Sequence, residues 1–181
     1  RDRLYASVTA STVKSVATPP TTASNWTAAY QIGDPSQEIT SLAELGNLLY
    51  IGKWNGLYAL DSDGLADMLT PELASAVDGD NCKNLTAWHG SLWVPHVRGL
   101  LNYRNMGASG FMVTPATPGA WVTSENPIRG RITAMAGDNR WLYAALLTPD
   151  GDTYILAGRE AFADEGENDR ERFSGFHILG G

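Results

Sequence analysis

Apolar and polar residues alternate along this chain in short stretches of four to six residues, broken every ten residues or so by Gly, Asn, Asp, Ser or Pro. That alternation has the period of two expected of strands, and the apolar spacing of i, i+3, i+4 and i+7 that marks a helix is missing over any helical length. One stretch sets the pattern. It runs Ile39-Thr40-Ser41-Leu42, Gly46, Leu49-Tyr50-Ile51-Gly52, Gly56-Leu57-Tyr58-Ala59-Leu60, and closes on Asp61-Ser62-Asp63-Gly64. It returns as Leu85-Thr86-Ala87-Trp88, Gly90, Leu92-Trp93-Val94-Pro95 and Gly99-Leu100-Leu101-Asn102-Tyr103. A third copy reads Ile132-Thr133-Ala134-Met135, Gly137, Leu142-Tyr143-Ala144-Ala145 and Thr153-Tyr154-Ile155-Leu156-Ala157-Gly158. The opening Leu4-Tyr5-Ala6-Ser7 matches the second strand of the unit without the strand that should precede it.

The Leu-aromatic pair recurs at steps of 45, 43 and 50 residues, and the leading apolar-Thr pair at steps of 46 and 47. A four-stranded propeller blade takes about 45 residues, so the period predicts an all-β chain of β-propeller blades, each a four-stranded antiparallel sheet. The expected blades are 1–38, incomplete, then 39–84, 85–131 and 132–181, with three strands in the first and four in each of the others. Fifteen strands leave one blade open, and a ring must close to cover the faces of its terminal blades. The chain is therefore expected to be part of a larger ring, and its start at Arg1 rather than Met fits a piece of a longer protein. Within a blade, the apolar-Thr strand should be innermost, and Gly46, Gly90 and Gly137 should supply turns with unusual dihedrals. The Leu and the aromatic of the second strand point to opposite faces, so both should be buried between neighbouring sheets. Asn55-Gly56 predicts a type I′ hairpin turn after Trp54. Outermost strands are expected within 25–32, 67–73, 110–114 and 172–179.

The repeat ITSLAELGNLLYIGKWNGLYALDSDG resembles blades of bacterial and phage propeller proteins. The phrase from Trp26 through AYQIGDPSQEITSL, with TYILAGRE and GFHILGG near the end, is similar to propeller modules of tail, fibre or baseplate proteins of tailed bacteriophages. The resemblance covers nearly the whole chain and implies a non-enzymatic structural or adhesion module, located in a virion or outside a cell. Its implied partners are other subunits of an assembly and a host-surface glycan or protein. Two alternatives stand beside it: an extracellular carbohydrate-binding or glycan-active propeller, and a bacterial surface scaffold protein. The paired marks of WD40 repeats, the double glycine of kelch repeats and the boxes of sialidases are absent.

Charge and candidate chemistry narrow the reading. Twenty acidic against 13 basic residues give a net charge of −7, which opposes binding to phosphate backbones, so nucleic acid is not an expected partner. No apolar run approaches the roughly 20 residues of a membrane-spanning helix, and no membrane insertion is expected. Cys82 has no second cysteine to pair with, and no cofactor or metal is expected. His89 and His96 flank one strand and could converge, but a third ligand is missing. The pairs Asp61/Asp63, Asp78/Asp80 and Asp150/Asp152 lack the later glutamate of a calcium loop and read as turns, and the acidic run 164–172 reads as a solvated loop. No P-loop, zinc-protease helix or nucleophile elbow is present. The residues left as ligand or partner contacts are Trp54 at a hairpin tip, with Lys53 and Arg98 at neighbouring or equivalent turns as polar partners.

Overall fold

In a computed structural model of the chain, residues 3–17, 26, 29–97, 99–105, 111–115, 130–161 and 172–180 are described. They form an all-β protein of four small antiparallel sheets, with one turn of 3-10 helix at Pro71–Leu73. The chain divides into two compact units, 1–85 and 86–181.

The first unit holds two sheets. One consists of β1 (Arg3–Thr9), β2 (Thr12–Ala17) and β3 (Tyr30–Gln31). The other consists of β4 (Ile39–Leu45), β5 (Leu48–Lys53), β6 (Gly56–Leu60) and β7 (Ala66–Met68). The second unit holds β8 (Thr86–Trp88), β9 (Ser91–His96), β10 (Gly99–Asn105) and β11 (Phe111–Pro115) in one sheet. Its other sheet is β12 (Arg131–Gly137), β13 (Leu142–Leu147), β14 (Thr153–Ala161) and β15 (Arg172–Gly180). Each sheet is a meander in which every strand pairs with the next in sequence, so three strands are followed by four, four and four, as the periodicity predicts. The fourth strands fall at or within a residue or two of their expected windows.

The repeat has a shared local geometry. The ladder slips by one residue between Ile39 and Ser41 and again between Ile132 and Ala134. The Thr of the apolar-Thr pair is thus the extra residue of a bulge in both sheets, out of the one-to-one register. The Thr40 hydroxyl donates to the Asn81 carbonyl and the Thr133 hydroxyl to that of Ala145. Turn chemistry repeats too. Leu45 pairs with Leu48 and Trp88 with Ser91, leaving the two-residue loops Gly46-Asn47 and His89-Gly90. All four loop residues have φ between 47° and 72°, the signature of a type I′ turn whose twist matches the strands.

Two turn expectations are corrected. Lys53 pairs with Gly56, so the β5–β6 loop is Trp54-Asn55, and Asn55 is not among the residues with positive φ. Only Gly56 carries the unusual angle, at 142°, where a side chain would meet the Thr70 hydroxyl; the turn is not type I′. Gly137 ends β12 with ordinary dihedrals. Its constraint is space: a Cβ there would lie within van der Waals overlap of the Trp88 indole, which donates its Nε1–H to the Asp138 carbonyl at 2.6 Å.

Each unit has its own core. In the first, Val13 and Ile32 meet Leu49, Ile51, Tyr58 and Leu60 of the second sheet. In the second unit, Trp88, Trp93 and Leu100 meet Ile132, Leu142, Leu146 and Leu156. The Leu of each Leu-aromatic pair in β5 and β13 faces the core shared with the preceding sheet, and the aromatic points to the opposite face.

Candidate functional site

Lys53 and Trp54, adjacent in sequence, have separate roles in the structure. Lys53 ends β5 with its side chain fully enclosed. Its ammonium donates to the carbonyls of Ile32 (2.5 Å) and Asp34 (2.7 Å) and lies 5.7 Å from the centre of the Tyr58 ring. Burial pushes its pKa down, and the Asp34 carboxylate opposes that in part. Lys53 is therefore a pin holding 32–34 onto β5, not the surface partner expected of a turn lysine. It gives a donor to both carbonyls, that of Asp34 being shared with the Gln37 N–H (3.2 Å), which offsets the cost of enclosing a charge.

Trp54 is half-buried and its ring lies over Gly79, where a Cβ would stand 3.7 Å from the indole. Its carbonyl accepts from the Asp78 N–H (3.2 Å) and the Asn81 side-chain amide (2.8 Å). The indole thus covers a loop of its own unit, and only the remaining edge is open to a partner. Arg98 lies outside the described residues.

The histidines do not converge. His89 occupies the β8–β9 turn, stacked on Trp88 with ring centres 4.0 Å apart, whereas His96 sits at the far end of the six-residue β9. His177 lies in β15, and its side chain is outside the described ones. The aspartate pairs are turn formers: Asp61 Oδ1 accepts from the N–H groups of Asp63 and Leu65, and Asp78 Oδ1 from that of Asp80. Among the described residues no three His, Cys, Asp or Glu side chains are placed to hold a metal ion.

A cleft of about 290 Å³ opens between the two sheets of the first unit. It lies at the end of the second sheet that carries the Gly46-Asn47 turn and the Asp61–Leu65 turn, opposite the end that carries Trp54. Alternation along β1 directs Arg3 and Tyr5 into it, and Glu44 enters from β4, directly opposite Leu49 across the ladder. Tyr30 of β3 and Asp61 complete the wall, with Leu49 and Leu60 as floor. Two side chains are pre-positioned. The Arg3 guanidinium donates to the Ser15 hydroxyl at 2.7 Å, and the Tyr30 ring is pressed by Gly64 so closely that a Cβ there would come within 2.6 Å of it. Asp61 commits Oδ1 to its own turn. Sequence reasoning named none of these residues as a site, because they come from four separate strands and turns. The available signal was an acidic residue, Glu44, on the face of β4 that carries Leu42.

The architecture defines the class: an all-β protein of four repeated small antiparallel sheets. No protein family, no curated protein and no solved structure matches the chain.

Proposed function

We propose that the chain is a non-enzymatic structural or recognition module made of β-propeller blades, part of a larger ring in a tail-like virion assembly. The observation that carries the ring is the exposure of equivalent positions in the repeat. The leading Leu of the Leu-aromatic pair is buried at Leu49, Leu92 and Leu142 (9%, 0% and 0% exposed), but Leu4 in the first sheet is 46% exposed. The aromatic is buried at Tyr50 and Trp93 (2% and 1%), but Tyr143 in the last sheet is only half-buried. The first sheet thus leaves both members of its pair open, since Tyr5 is 37% exposed as well, and the last leaves its aromatic part-open, as the terminal blades of an unclosed ring would. The open positions are apolar: Leu4 and Val8 in β1, and in the last sheet Ile155, exposed, beside the part-buried Tyr143, Ala145 and Leu147. Within each unit the first strand of the later sheet lies against the earlier sheet, β12 against β8 and β9 and β4 against β1.

The phage setting rests on the repeat's resemblance, and the non-catalytic reading on a chemistry of turns and packing in the described residues. Single cysteines in place of Val8 and Ala145 test the ring. In the full-length protein or its assembly both should be shielded from a maleimide, and ready labelling of both in that state removes the larger ring. Mass spectrometry of purified particles tests the setting, which fails if the protein is missing from them. A second reading, carbohydrate recognition outside a cell, is favoured by the aromatic and acidic lining of the cleft.

A further inference from the structure

We infer that the cleft between the first two sheets binds an uncharged sugar ring at the end of a glycan. This rests on the recognition part of the function proposed above and gives it a ligand class. Tyr5, more than a third exposed, and Tyr30 offer aromatic surface. The C–H face of a pyranose covers such a ring, because its apolar hydrogens meet the negative face of the π system. Around the rings stand groups suited to hydroxyls rather than to a net charge. The Glu44 and Asp61 carboxylates accept, the Arg3 guanidinium donates, and the Asn47 amide does both. Two carboxylates against one guanidinium leave the lining net negative, in a chain already at −7, which turns away phosphates, sulfated sugars and sialic acids.

Size agrees. A volume of about 290 Å³ is at the small end of ligand pockets and admits one ring rather than a chain of them. The site is also held ready, since the Arg3 bond to Ser15 and the Gly64 contact on Tyr30 fix two of its walls without a ligand. Pre-ordering of this kind lowers the entropy lost on binding. The surrounding turns belong to the rigid type I′ and Asp-capped classes rather than to long loops.

Saturation-transfer NMR on the full chain tests this with the methyl glycosides of glucose, galactose, mannose and N-acetylglucosamine, and with sialic acid as the anionic control. At least one neutral glycoside should receive saturation. Its affinity should fall about tenfold or more in Tyr5→Ala and in Glu44→Gln, two exposed positions whose change should leave the melting temperature in place. Tyr5→Phe should keep most of the binding, since the ring remains. The inference is overturned if no neutral glycoside binds, if sialic acid binds best, or if the variants bind as the parent does. Loss of sugar binding with Val8 and Ala145 still shielded in the assembly would remove this inference alone; sugar binding with both labelled would remove the ring and leave the site.

Discussion

Replacing Lys53 with methionine keeps the length of the side chain and removes its ammonium from the carbonyls of Ile32 and Asp34. Hydrogen bonds to a charged group contribute roughly 1.5–3 kcal/mol each, and a buried acceptor left without a donor costs about 1–3 kcal/mol. Against these stands the desolvation of the ammonium, which methionine no longer incurs and which is already visible in the lowered lysine pKa. The net expectation is a loss of about 2–4 kcal/mol, measured by urea denaturation with Trp54, which adjoins the site, among the fluorescent reporters. The pH dependence gives a second signature. The folded-state pKa lies below the ordinary value of 10.5, so between the two the unfolded chain binds more protons and the wild type gains stability as pH rises through that window. Methionine does not titrate, so the gap between wild type and Lys53→Met should widen from neutral pH towards 10.5. A loss under about 1 kcal/mol, or a gap that narrows with pH, would refute the assignment of Lys53 as a structural pin and return it to the surface.

Gly137→Ala should destabilise the second unit by about 1–3 kcal/mol, because the new methyl overlaps the Trp88 indole; a near-ultraviolet circular dichroism spectrum and stability equal to wild type would contradict this. The Cys82 thiol is fully buried with its pKa pushed up to about 12, chiefly by burial, so the native chain should resist thiol reagents at neutral pH and label only in denaturant. Labelling of the native protein at the denatured rate would show that its packing is open. Asp138 has its pKa held down, first by the Arg140 N–H and then by that of Trp141, at 2.6 and 2.7 Å. Its contribution is therefore whole above the ordinary value of 3.8 and lost as pH falls through the lower folded-state value. Asp138→Asn should flatten stability over that acid range, and an unchanged acid profile would count against the capped turn.

The strand pattern was legible because it depends on neighbours in sequence, and the misreadings all concern contacts made across space. Alternation and the turn residues located three, four, four and four strands, and the Gly46 and Gly90 turns have the positive φ expected of them. At Asn55-Gly56 the same dipeptide logic misled, since the ladder aligns Lys53 with Gly56 and moves the loop back by one residue. Turn type follows from register, and register is set by which faces are buried rather than by the dipeptide itself. Gly137 resembled Gly46 and Gly90 in the repeat, yet its reason is an indole some fifty residues earlier. Lys53 looked like a turn cation because lysine is rarely enclosed; the carbonyls that enclose it come from 19 and 21 residues upstream. The cleft is the extreme case. Arg3, Tyr5, Tyr30, Glu44 and Asp61 share no spacing, and only the stacking of one sheet on the next brings them together. A repeat fold imposes this division: the periodic positions build the sheets and can be read from the chain, while a site must be made from the positions that break the period. Glu44, exposed on the face of β4 that carries Leu42 and lining the cleft, is such a position, and its substitution by glutamine is the most direct test of whether that break serves a ligand.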